Sequence, residues 1–162
     1  VSDNIFNKSK SDREASAKKE FQKNMRGTGT RITFIEHKSA SGIPDCNACF
    51  AGAEWWIEFK APVAPKRDNT PLFGSNHGLT AQQEAFMRSQ VRAGGNCALY
   101  VRLPNKTIII VDGVDIESAE PGIINKWPLT KFSENGFLYS ANDSFTWRMI
   151  NHLFKSRSTG LK

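Results

Sequence analysis

No apolar run in the 162 residues approaches the ~18 needed for a membrane-spanning helix, which excludes a transmembrane segment. Residues 1–10 are polar and lack the apolar stretch of a secretory signal, so none is expected. Cysteine is scarce. Cys46, Cys49 and Cys97 cannot all pair within one chain, which argues against a disulfide scaffold and for a reducing, cytoplasmic setting. There is no internal repeat and no low-complexity run. With 39% hydrophobic and 23% charged residues, the chain is too apolar to be disordered, and its length suits one domain with one sizeable core. Acids are in deficit, 16 against 22 Lys+Arg, a net charge of +6. That balance favours a polyanionic partner, nucleic acid before membrane.

The charge is unevenly spread. Residues 1–26 carry seven bases against four acids, whereas residues 112–120 hold Asp112, Asp115, Glu117 and Glu120 and no base. A first helix is predicted over residues 11–26, capped by Ser11 or Asp12 and stopped by Gly27 and Gly29. Its thin apolar face is Ala17, Phe21 and Met25. A strand is expected over 30–36, then a hairpin of 45–50 and 54–60 turning at Ala51-Gly52. Residues 61–78, with Pro62, Pro65 and Pro71, read as a long mobile loop. A second helix is predicted over 81–93, opened by a Thr80-x-x-Gln83 capping box and ended by Gly94-Gly95. Strands are expected over 97–103 and 107–111, and a helix near 144–154. Between 112 and 143 the pattern is illegible. The alternation of helices and strands implies an α/β fold on a mixed sheet, flanked by helices. The division expected is a flexible N-terminus (1–10), a core (11–111) and a C-terminal extension packed on it (112–162) with a flexible tail.

The informative segment is Ser41-Gly42-Ile43-Pro44-Asp45, followed after twelve residues by Glu58-Phe59-Lys60. In a strand, Glu58 and Lys60 share one face and Phe59 takes the other. A two-residue turn at Ala51-Gly52 would pair Phe50 with Ala53 and hence set Asp45 opposite Glu58. Two opposed carboxylates repel unless something compensates. A hard divalent cation does so, and it also takes phosphate oxygens as ligands. Lys60, on the same face, could orient a water or offset charge on a phosphate. These parts suit metal-dependent phosphodiester hydrolysis. The alternative is an ordinary ion-paired strand face.

Gly42-Ile43-Pro44-Asp45 followed by Ile57-Glu58-Phe59-Lys60 resembles the signature of the PD-(D/E)XK nucleases. Leu79-Thr80-Ala81-Gln82-Gln83, ahead of Gly94-Gly95 and the apolar stretch from Cys97, resembles the VRR-NUC branch, found in many phages and related to archaeal-type Holliday junction resolvases. The resemblance spans residues 14–103. It implies a restriction-endonuclease-like fold and a Mg²⁺-dependent endodeoxyribonuclease, with Mn²⁺ able to substitute, selective for branched or junction DNA. It implies that Asp45 and Glu58 are metal ligands, with the carbonyl of Phe59, and that Lys60 is catalytic. Gln83 matches a glutamine near the active site, although it also completes a helix cap. The first helix usually adds an acid. Glu14 and Glu20 are the candidates and cannot both face one site, being about 120° apart around the helix. Spacing to Asp45 favours Glu20. DNA is the implied partner, in the host cytoplasm for a phage-encoded chain. Resolvases of this kind act as dimers, so a homodimer is admitted.

Lys18 and Lys23 of the first helix, and Lys66-Arg67 of the loop, are candidate DNA-phosphate contacts, against the alternative of a solvated charge run. Cys46-x-x-Cys49 has zinc-ligand spacing, but i and i+3 point to opposite faces of a strand. His37 and His77 fall near the site; Glu36 and Glu54 read as surface charges. Trp55 and Trp56 must face opposite ways. Two other function classes remain open: a basic DNA-binding accessory protein on a nuclease-like fold, and a small zinc module.

Overall fold

The computed structural model describes residues 8–36, 42–50, 52–63, 65–74, 78–141 and 144–158. Ser41, Ala51 and both loop histidines, His37 and His77, lie outside the described residues, as do residues 1–7 and 159–162.

Six strands form one sheet in sequence order: β1 (Arg31–Phe34), β2 (Cys46–Phe50), β3 (Ala53–Lys60), β4 (Asn96–Arg102), β5 (Thr107–Asp112) and β6 (Leu138–Ser140). Neighbours run antiparallel except β3 and β4, which are parallel and joined through α2 (Ala81–Arg92). A parallel pair needs a crossover, and α2 supplies it. The β2–β3 register pairs Phe50 with Ala53 and Cys46 with Ile57, as the two-residue turn requires, and Gly52 takes φ +85 there.

Side-chain alternation divides the interior into two cores, one on each sheet face. Phe50, Trp55, Ile57, Phe59 and Tyr100 face α1 (Lys10–Asn24) and α5 (Ser144–Ser158). Phe21 of α1 sits edge-on to Phe59 and Tyr100, with centroids 5.4 and 5.2 Å away. The other core gathers Met87 of α2, Leu99, Val101, Ile109 and Phe132. Trp55 belongs to the first core, and Trp56 meets Phe86 of α2 on the opposite face.

Ser9 caps α1, its hydroxyl accepting from the Asp12 amide, so the helix starts earlier than Ser11 or Asp12 would have set it. The segment after Asp112 forms α3 (Gly113–Ser118), a 3-10 turn (Ile124–Lys126), α4 (Leu129–Glu134) and β6, placing Ile116, Ile124 and Phe132 in the second core. The 61–78 connection is anchored at its centre, a correction to a loop expected to be mobile. Leu72 and Phe73 are buried in the second core, and the Leu72 amide donates to the Trp127 carbonyl.

Candidate active site

The site lies where β2 peels away from β3. The β2–β3 ladder ends at the Cys46–Ile57 pair, while on the other side the Asp45 carbonyl still accepts from the Ile35 amide, extending the pairing with β1. The Asp45 carboxylate takes over, its Oδ2 accepting from the Phe59 amide at 2.9 Å. Asp45 is thus fixed against β3, one residue from Glu58, and Pro44 before it is buried without an amide to satisfy. Gly42 is required at the approach. It has φ +92, and a Cβ there would stand 2.6 Å from the Gln82 carbonyl oxygen at the start of α2.

Glu58 and Lys60 project from the face opposite Phe59 and are nearly fully buried. Lys60 Nζ lies 2.9 Å from Glu58 Oε1 and donates to Gln83 Oε1 at 3.1 Å. Gln83 Nε2 donates to Glu58 Oε1 at 2.6 Å. The same Gln83 Oε1 accepts from the Thr80 amide, and Thr80 Oγ1 accepts from the Gln83 amide. The two readings of Gln83 are therefore both realised in the geometry. The capping box holds the side chain, and the held side chain bridges the buried acid and ammonium.

Lys18 of α1 reaches Asp45, with Nζ 3.1 Å from Oδ1. Each acid therefore has its own ammonium, Lys18 for Asp45 and Lys60 for Glu58. Glu14 stands one helical turn before Lys18 on the same flank. Its Oε1 is buried and takes no hydrogen bond, with Lys10 Nζ 4.0 Å away. Glu20 is not brought to this cluster. It lies on the far flank of α1, where Arg102 holds it by both oxygens, Nε to Oε1 at 2.7 Å and Nη2 to Oε2 at 3.0 Å. Sequence spacing missed Arg102 because the pair spans 82 positions. Lys23, Lys66 and Arg67 are exposed.

The donor set fits a hard divalent cation. Two carboxylates, Asp45 and Glu58, stand beside Phe59 on β3, and each already attracts an ammonium group. Among the described residues no three His, Cys, Asp or Glu side chains gather into a metal group. Mg²⁺ asks for no more than one or two carboxylates, completing its shell with water and phosphate. Cys46 is buried in the first core while Cys49 lies on the other face, so the two do not share a zinc ion. Among the described residues no helix is long and apolar enough to cross a membrane.

The Cys97 thiol beneath α2 is buried, and burial, with Asp112 nearby, pushes its pKa from 9.0 to about 12. Above pH 9.0 the unfolded chain therefore loses a proton that the folded chain keeps, and stability falls as pH rises toward 12. Urea unfolding between pH 8 and 11 should show this fall, approaching ~1.4 kcal/mol per pH unit from this thiol. Cys97→Ala should make the profile shallower by this one thiol's share, since the buried Cys46 thiol, likewise pushed up to about 12, keeps its own. An unchanged slope would assign it to other groups.

No protein-family model matches the chain, and no curated protein matches it. Among solved structures it is similar to the Holliday junction resolvase Hjc of Archaeoglobus fulgidus, an archaeal hyperthermophile. The identity is 18% and the TM-score 0.50, over 76% of this chain and 92% of the resolvase. The fold is thus restriction-endonuclease-like, a mixed six-stranded sheet flanked by helices, shared with that Holliday junction resolvase.

Proposed function

We propose that the protein is a metal-dependent DNA endonuclease of the PD-(D/E)XK class and VRR-NUC type, selective for branched DNA. The observation that carries this reading is the cluster of buried Asp45, Glu58 and Lys60 with half-buried Gln83 at the diverging end of β2 and β3. A buried acid, ammonium and amide so interlocked are held in one geometry before substrate arrives, as catalysis by preorganised charge demands. Asp45, Glu58 and the Phe59 carbonyl would hold Mg²⁺, with Mn²⁺ as substitute. When bound, the ion polarises a phosphodiester and activates water. Lys60 supplies positive charge where it develops on the phosphate or orients the attacking water. Gln83 fixes Glu58 and Lys60 relative to each other. Lys23, Lys66 and Arg67, exposed on α1 and the connection, would contact flanking phosphates. Lys18 would join them once a metal replaced it at Asp45. The three free cysteines fit a cytoplasmic setting.

The test is incubation of labelled linear, nicked, flapped and four-way DNA with and without Mg²⁺ or Mn²⁺. Cleavage of the branched substrates, only with metal, is expected. DNA binding with no cleavage of any substrate in either metal would overturn the reading and leave a DNA-binding accessory protein.

The helix-borne acid is assigned to Glu14, reversing the preference that spacing gave to Glu20. Glu14 lies on the Asp45 flank of α1, while Glu20 is committed to Arg102. Glu14→Gln should therefore lower cleavage by about tenfold or more. Glu20→Gln should lower it less. The opposite order in single-turnover assays would return the role to Glu20.

A further inference from the structure

A cavity of about 190 Å³ opens on the far flank of α1, between the N-terminal half of the helix and the ends of β3 and β4. Three cationic side chains line it, Lys8, Arg13 and Arg102, against one acid, Glu20. Glu20 neutralises Arg102, whose Nη1 also donates to the Leu103 carbonyl. Arg13 is held differently. Its Nε donates to the Ala61 carbonyl at 2.8 Å and its Nη1 to the Lys8 carbonyl at 2.6 Å. Both partners are uncharged, so the guanidinium is fixed in place, and among the described residues no carboxylate forms an ion pair with it. The exposed Lys8 ammonium adds a second positive charge at the rim. Ala17, Leu103 and Pro104 supply apolar wall.

We propose that this cavity is a phosphate-binding subsite for the nucleic-acid substrate, formed by Lys8, Arg13 and Arg102, with Glu20 restraining its affinity. A fixed guanidinium fork matches phosphate oxygens, and the apolar wall suits the attached sugar. The position suits a phosphate flanking the cleaved one: Ala61 in the cavity wall directly follows Lys60 in the chain but lies on the α1 side of the sheet, away from the Lys60 side chain. The inference rests on the nuclease reading for its substrate class, but it concerns binding and is tested without cleavage.

The experiment measures DNA affinity against salt in EDTA, with four-way DNA and with nicked DNA bearing either a 5′-phosphate or a 5′-hydroxyl. Lys8→Ala should weaken binding and reduce the slope of log K against log salt by about 0.7–0.9. Glu20→Gln, which removes the one acid among the described residues that line the cavity, should strengthen binding by about threefold. A substrate with a neutral methylphosphonate at one linkage should bind wild type more weakly but the Lys8→Ala variant equally, identifying an internal phosphate. If the 5′-phosphate has that effect instead, the group bound is a strand end. Wild-type affinity and slope in Lys8→Ala, with no gain in Glu20→Gln, would reduce the cavity to a structural ion pair and leave the nuclease reading intact. If the wild-type protein binds none of these DNAs, both fall. Thermal unfolding of Glu20→Gln checks that its fold persists; should it not, the Lys8→Ala slope and the methylphosphonate cycle decide alone.

Discussion

Asp45→Asn is expected to lower cleavage by at least about 100-fold while leaving DNA affinity within a few fold of wild type. The change removes the carboxylate charge that the residue just before β2 brings to the cluster. The remaining amide oxygen can still accept from the Phe59 N–H, so the junction of the strands should hold. Opposed carboxylates alone would predict a more stable variant in the absence of metal. The structure reverses that sign, because Lys18 already compensates Asp45 and loses its partner in the variant. Lys18 is partly solvated, so the cost should be small, about 1 kcal/mol, and the melting temperature should drop by about 2–4 °C. Glu58→Gln should be equally inactive and less stable, since its partner Lys60 is buried. Single-turnover cleavage at saturating Mg²⁺ beside thermal melts in EDTA checks both. Near-normal cleavage by either variant removes the metal-ligand assignment.

What the sequence made legible was local. The hairpin register followed from alternation and a two-residue turn as far as the Cys46–Ile57 pair; Asp45, expected opposite Glu58, lies beyond it and is fixed through the Phe59 amide instead. The capping box followed from Thr80 and Gln83 three residues apart. What stayed hidden depended on partners distant in the chain. Nothing near Glu20 announces Arg102, and nothing near Lys18 announces Asp45; each lysine or glutamate on a basic helix looks alike until the sheet beneath it is known. The short elements after Asp112 were hidden for a related reason. Six-residue helices and a three-residue strand carry too little periodicity to detect, and burial of Ile116, Ile124 and Phe132 against the sheet decides them. The anchoring of Leu72 and Phe73 belongs to the same class, since it relies on Trp127.

Lys60→Ala separates transition-state chemistry from phosphate binding. Lys60 Nζ is buried between Glu58 and Gln83, so it is placed to act on the reacting phosphate and poorly placed to track the DNA backbone. An interaction made only in the transition state lowers the saturated rate and leaves affinity alone. Saturated single-turnover cleavage should thus fall about 10²–10³-fold. DNA affinity and its salt slope should stay near wild type. Truncation also leaves the buried Glu58 carboxylate without its ammonium, a loss of about 3–5 kcal/mol for a broken buried pair. Lys60→Arg, which keeps the charge, guards against a variant that fails to fold, and it should remain slow because the guanidinium cannot occupy the compact ammonium site. The stability loss supplies a second readout. A cation that binds the folded state beside Glu58 takes over the compensation that Lys60 provided, so Mg²⁺ should raise the melting temperature of Lys60→Ala more than that of wild type. The opposite pattern is also specific. Weakened binding, a salt slope reduced by about 0.7–0.9 and an intact saturated rate would make Lys60 one more phosphate contact and shift the weight to the accessory-binder reading.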